Sequence, residues 1–107
     1  MTEVSDTLRA ARKLIEKPEN WCKGDFARNS SGEPVPDESA DACAWCVAGA
    51  LYCRSVDAVS AGRAFMALHR SLPNGFLCAP NFNDHPDTTH PMVLDLFDRA
   101  IAMEEAG

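Results

Sequence analysis

Between Ala42 and Cys53 the chain reads Ala-Cys-Ala-Trp-Cys-Val-Ala-Gly-Ala-Leu-Tyr-Cys, without a single charge. A helix apolar on every side must be surrounded by its neighbours. Pro36-Asp37-Glu38-Ser39, just ahead, is a helix-start signal with Asp37 or Ser39 as the cap. The pattern predicts one buried central helix over 39–54. Its small residues allow close approach, and Gly49 marks a close helix crossing. With 107 residues there is room for one domain, 1–107, and one modest core.

The rest of the chain supplies what packs on that helix. Val4, Leu8, Ala11 and Ile15 recur at helical spacing, so a first helix is expected from Glu3 to Lys17, stopped by Pro18. Asn29-Ser30-Ser31-Gly32 has hairpin-turn chemistry, and Pro34 confines the return strand to an edge. A short β-hairpin over about 21–35 follows, pinned to the helices by Trp21 and Phe26. Ser55 is expected to cap a helix from Val56 to Leu72, with Ala61, Phe65, Leu68 and Leu72 inward. Residues 76–87 read as an apolar-rich loop of the kind that packs down and carries function. Thr88 or Thr89 would cap the last helix, whose inner face is Met92, Val93, Leu96, Phe97, Ala100 and Ile101. The expected fold is mainly α: a compact bundle of about four helices around the apolar helix, with one hairpin.

Net charge is −6, and the balance is uneven. Only Arg54, Arg63, Arg70 and Arg99 offset the acidic residues beyond position 30. No cationic cluster exists to hold phosphates, so direct nucleic-acid binding is not expected. No apolar run is long enough for a membrane span and no signal peptide opens the chain, which points to the cytoplasm. Acidic residues gather in two sets, Glu33/Asp37/Glu38/Asp41 and Asp84/Asp87/Asp95/Asp98. Such sets suit a basic protein partner, or simply keep the chain soluble.

Five cysteines, an odd number without a secretory signal, argue against a disulfide framework. At least three are expected to be small buried hydrophobes. Cys43 and Cys46 match C-x-x-C, but inside the expected helix and without a second pair. Zinc would need His85, His90 or Cys78 to complete a tetrahedron, and core packing is the stronger reading. No cofactor is implied. A cysteine nucleophile beside Asp84 and His85 lacks an oxyanion-hole signature, so no enzyme is expected. Asn83-Asp84 can bond loop amides and the first turn of the last helix, or present Asp84 and Asp87 to a partner.

Trp21…Gly24-x-Phe26-Ala27-Arg28, Gly32-Glu33-Pro34-Val35, Ala42-x-x-Trp45-Cys46-x-x-Gly49-Ala50-Leu51 and Phe82-Asn83-Asp84…Val93 together resemble a family of small uncharacterised bacterial and phage proteins, a domain of unknown function. The resemblance spans about Leu8 to Ile101 and departs at Phe82, where the family pattern has Trp. It implies a small helical domain with a hairpin and no established activity. The reading from the residues is a non-enzymatic, acidic protein-binding module, monomer or homodimer. Its sharper form is a phage-derived inhibitor of a host nucleic-acid-binding complex, with carboxylates standing where phosphates would. The alternative is a small-molecule or metal-binding protein with its site between loop 76–87, Trp45 and the hairpin, using Trp21, Trp45, Asn83 and Asp84. An exposed aromatic at Trp45 or Tyr52 would mark a docking or dimer surface.

Overall fold

Helix α1 (Glu3–Leu14) buries Leu8 and Ala11, with Ile15 beyond its last turn, as the spacing predicts. The computed structural model describes residues 3–106. The helix ends earlier than Lys17 because Pro18 forces Lys17 into extended backbone, and residues 18–20 form one 3-10 turn. Ile15 and Glu16 tighten the exit by bonding back three residues. Helix α1 packs against three later helices, α2 (Val47–Arg54), α3 (Ala58–Arg70) and α5 (His90–Ala106), and so shares the centre of the fold.

Strands β1 (Ala27–Arg28) and β2 (Pro34–Val35) form the expected hairpin, although the strands are only two residues each. Asn29 Oδ1 accepts from the backbone N–H of Ser31 at 3.0 Å and of Glu33 at 2.9 Å. Gly32 completes the turn at φ +80°, where a side chain would be strained. A third strand, β3 (Ala44–Trp45), pairs with the other edge of β1, and the order is β2-β1-β3.

This third strand corrects the 39–54 helix. Residues 36–42 make two successive turns, closed by Ser39 N–H to Pro36 O and Ala42 N–H to Ser39 O. The helical part is α2 alone, and its N-cap is Cys46 rather than Asp37 or Ser39. An apolar run with no polar face carries no period, so helix and strand look alike in it. What decides is the open edge of β1: Arg28 O takes the Cys43 N–H at 2.9 Å and Phe26 O takes that of Cys46 at 3.3 Å. Gly49 is a close crossing, but against backbone outside any helix. A Cβ there would lie 1.9 Å from Phe26 O.

The remaining helices follow with shifted ends. Asp57, not Ser55, caps α3, accepting from Ser60 N at 2.8 Å. Ser55 instead closes α2, its hydroxyl donating to Leu51 O. Within the expected 76–87 loop lies a short helix, α4 (Ala79–Asp84), with Pro80 in its first turn and Phe82 and Asn83 buried. Thr89 stands directly before α5 and its carbonyl accepts from Val93 N–H at 3.2 Å, the position expected of a cap, while Thr88 Oγ1 is buried without a hydrogen-bond partner among the described residues. Val93, Leu96, Phe97, Ala100 and Ile101 are buried as expected, while Met92 is exposed. Phe26 is 54% exposed and meets α2 at the surface, through Tyr52 and Gly49, rather than from within the core. The fold is mainly α, and the hairpin belongs to a three-stranded sheet.

Gly49 and Gly62 make a matched test. Gly49→Ala drives a Cβ into the Phe26 carbonyl and should destabilise the fold by about 2–3 kcal/mol. Gly62 lies on exposed α3, where an added Cβ meets nothing within 4 Å. Gly62→Ala should therefore stabilise by about 0.5–1 kcal/mol through helix propensity. Urea unfolding of both variants checks the pair; equal midpoints would refute the close approach.

Candidate protein-binding face

The side chain that orders this region is Asn83, which is 0% exposed. Its Oδ1 accepts from the Trp21 indole N–H at 2.7 Å and from the Val47 backbone N–H at 3.1 Å. Its Nδ2 donates to Cys22 O at 3.1 Å and to Asp84 Oδ1 at 2.8 Å. Both lone pairs and both protons of the amide are thus engaged. Asp84 Oδ1 in turn accepts from Gly24 N–H at 2.9 Å, and Lys23 Nζ donates to His85 O at 2.6 Å. Residues 21–24 are thereby laced onto α4 and onto the first turn of α2. The amide satisfies a helix start, as expected for Asn83, but that of α2 rather than of the last helix.

Once this arch is held, Phe26 stands next to the exposed end of α2. Its ring meets Tyr52 edge-on at 5.9 Å, and Tyr52 meets Phe65 of α3 at 5.3 Å. Tyr52 remains 48% exposed and Val56 83%. On one flank of this row lies a groove of about 390 Å³, whose walls include Asp37, Glu38, Tyr52, Val56 and Asp57. Asp37 is anchored through its backbone, whose carbonyl takes the Trp45 indole N–H at 3.1 Å. Its carboxylate Oδ2 is buried without a hydrogen-bond partner among the described residues. The N–H of Ser60, as the leading cause, holds the Asp57 carboxyl below its ordinary pKa, with Arg63 assisting. On the opposite flank, Phe65, Met66, Cys78 and Pro80 line an apolar groove of about 310 Å³.

The expected site residues are dispersed. Asp37 and Glu38 share one groove, whereas Asp84, Asp95 and Asp98 each line a different one. Asp98 pairs with Arg12 at 2.7 Å and Asp95 with Arg99 at 3.1 Å. Glu33 accepts from the Asn29 amide, and Asp41 and Asp87 are exposed. Of the alternative ligand set, Trp21, Asn83 and Asp84 meet in one network, but the Asn83 amide is fully used by the protein itself. Trp45 spends its N–H on Asp37.

The C-x-x-C pair brackets β3 rather than lying in a helix: Cys43, before the strand, is exposed and Cys46, after it, is buried. His85 packs edge-on against Phe76 and accepts from Asp87 N–H, while His90 contacts Ile15 O. Cys43, Cys46, His85 and His90 therefore have separate partners. Among the described residues no group of three or more His, Cys, Asp or Glu side chains comes together as a metal site requires. The expectation of three buried cysteines is corrected as well. Only Cys46 is buried; Cys22 and Cys53 are half-buried, and Cys43 and Cys78 are exposed. No helix among the described residues is long and apolar enough to cross a membrane.

Asp37, Glu38 and Tyr52 stand out in the sequence, whereas nothing in it groups Asp57 and Phe65 with them on one face. Asp57 carries a visible signal, since it stands three residues before Ser60 at a helix start. Phe65 packs against the core as its spacing predicts, and it stays half-buried with one side against Tyr52.

These features define a small, mainly α domain with a three-stranded sheet, organised by a buried asparagine and carrying an aromatic row whose Phe26 and Tyr52 are exposed. The chain belongs to a family of unknown function, DUF6197, which it matches over residues 1–103. No curated protein and no solved structure matches it.

Two measurements probe the network. Asn83→Ala leaves the Trp21 N–H, the Val47 N–H and the Cys22 carbonyl without their partner in a buried place. Each orphan costs about 1–3 kcal/mol, so a loss of at least about 3 kcal/mol is expected in urea unfolding. Under 1 kcal/mol would mean that the network carries little. The second concerns Cys22, whose thiol burial pushes up to about 11 from 9.0. The unfolded thiol ionises first, so this contribution is intact below pH 9 and is lost as pH rises from 9 to about 11. Thermal melts over that range should fall less steeply for Cys22→Ser than for the native chain.

Proposed function

We propose that this chain is a non-enzymatic protein-binding module that takes a basic, apolar-bearing segment of another protein on the Phe26–Tyr52–Phe65 row and its acidic flank. The observation that carries this reading is Asp37 Oδ2, a buried carboxylate oxygen with no donor of its own. Buried polar groups are nearly always paired, so this orphan, on a residue that walls an open groove, is a carboxylate whose demand the described residues do not meet. A lysine or arginine entering the groove meets it once the Asp37 side chain turns outward, and a charge-assisted bond is the strong kind. Tyr52 beside it offers the rigid amphipathic surface on which interfaces concentrate their energy. Glu38 stands in the same groove without an ion pair among the described residues. A narrower form of the reading, an inhibitor that presents carboxylates to a nucleic-acid-binding complex, would use the same groove.

The test is selection from a surface-displayed library of random peptides against the immobilised protein. Enriched peptides should carry Lys or Arg next to Leu, Phe or Trp. Their binding should weaken with added salt, and Glu38→Lys combined with Tyr52→Ala should weaken it by about tenfold or more. Enrichment of acidic or uncharged peptides, or binding indifferent to both substitutions, would overturn the proposal.

A further inference from the structure

A different observation concerns two thiols on the other side of the arch. Trp21 and Trp45 form a parallel backbone bridge, and Cys22 N–H donates to Trp45 O at 3.1 Å. One residue further along both segments, Cys22 and Cys46 stand side by side. Neighbouring extended segments lie about 4.8 Å apart. That falls within the roughly 4.4–6.8 Å Cα separation that a disulfide spans. Cys22 Sγ donates to Asp25 O at 3.6 Å, Cys46 lines the groove of about 370 Å³ that also holds Asp25, Gly24 and Asp84, and the two thiols are close enough for Cys46 to act on the Cys22 thiol. Both cysteines are free.

We infer that Cys22 and Cys46 form a reversible dithiol site, which a small-molecule disulfide oxidises to an intramolecular bond between the 21–22 segment and the cap of α2. Cys22, the more exposed, attacks the external disulfide as a thiolate and releases one small thiol. Cys46 then attacks the Cys22 sulfur of the mixed disulfide and releases the second. The protein loses two protons and two electrons, and the external disulfide becomes two thiols. Cys46 is also the α2 cap, its Sγ accepting from Gly49 N–H at 3.3 Å, so the new bond forms where that helix starts. Burial raises both thiols above their ordinary pKa, which makes the exchange slow at neutral pH and faster in alkali. The charged groups acting on Cys22 are Cys46, Arg28, Asp25 and Asp84; only Arg28 favours its thiolate.

The experiment uses Cys43→Ser/Cys53→Ser/Cys78→Ser, which keeps only the pair, treated with oxidised glutathione at alkaline pH and then alkylated after unfolding in acid-quenched denaturant. Intact mass should show the loss of two hydrogens, with no alkyl group and no glutathione retained. In the same background Cys46→Ser should stop at one glutathione adduct on Cys22. In the native five-cysteine chain, digestion should yield the Cys22–Cys46 cross-linked peptide, a readout independent of how the triple variant folds. A stable glutathione adduct on Cys22 with Cys46 present, full alkylation of both thiols, or cross-links only through Cys43 and Cys78 would overturn the assignment.

Discussion

Four hydrogen bonds on one buried amide hold this fold in register. Asn83 is enclosed by protein, and its Oδ1 and Nδ2 together join α4 to Trp21, to Cys22 and to the first residue of α2. Each bond contributes only about 1 kcal/mol net. Their joint effect is geometric. With Trp21 and Cys22 fixed, the chain must pass over α2 closely enough for Phe26 O to press on Gly49, where no side chain fits. That contact places Phe26 beside Tyr52. The exposed Phe26–Tyr52 end of the aromatic row is therefore built from within, by an asparagine that never reaches the surface.

The same accounting separates the scaffold from the face. Every donor and acceptor of the Asn83 amide is spent inside the protein, as is the indole N–H of Trp45. A polar group with nothing left to offer cannot recognise a ligand without breaking its own bonds. The Asn83 amide between α4 and the arch is on this ground structural. Asp37 is the opposite case. Its backbone carbonyl is engaged and holds the residue in place, while a carboxylate oxygen remains unpaired. Unspent hydrogen-bonding capacity on a rigidly placed residue is what distinguishes a recognition group from a structural one.

Helical stripes were legible because burial imposes a period. Leu8 and Ala11 in α1, and Val93, Leu96, Phe97, Ala100 and Ile101 in α5, are buried where their spacing places them. The Asn29–Gly32 turn was legible from turn chemistry. Residues 39–46 were not, because an apolar run without a polar face has no period to read, and the decision fell to the open edge of β1, far away in sequence. The short helix α4 escaped for a related reason: Pro80 and Asn81 mark a loop in local terms, and only tertiary burial of Phe82 and Asn83 makes a helix there. Of the site, the acidic residues and the importance of Asn83-Asp84 could be read. Which carboxylates would share a groove, and which would be neutralised, depended on where the arginines reached.

Those arginines explain the polarity of the surface. Arg9, Arg12, Arg70 and Arg99 all pair with carboxylates of α5, namely Glu105, Asp98, Glu104 and Asp95. Exposed pairs of this kind contribute little to stability. They do settle where charge remains. With α5 compensated and Arg28 turned to Asp25, the residues Glu33, Asp37, Glu38 and Asp41 have no ion pair among the described residues. Of these, Asp37 and Glu38 stand in the wall of the Tyr52 groove. A basic partner would be steered to that side by long-range attraction and held there by short-range contacts, with Tyr52 for its apolar part and Asp37 Oδ2 for its cation. Both effects meet in one place because Asp37, Glu38 and Tyr52 wall the same groove.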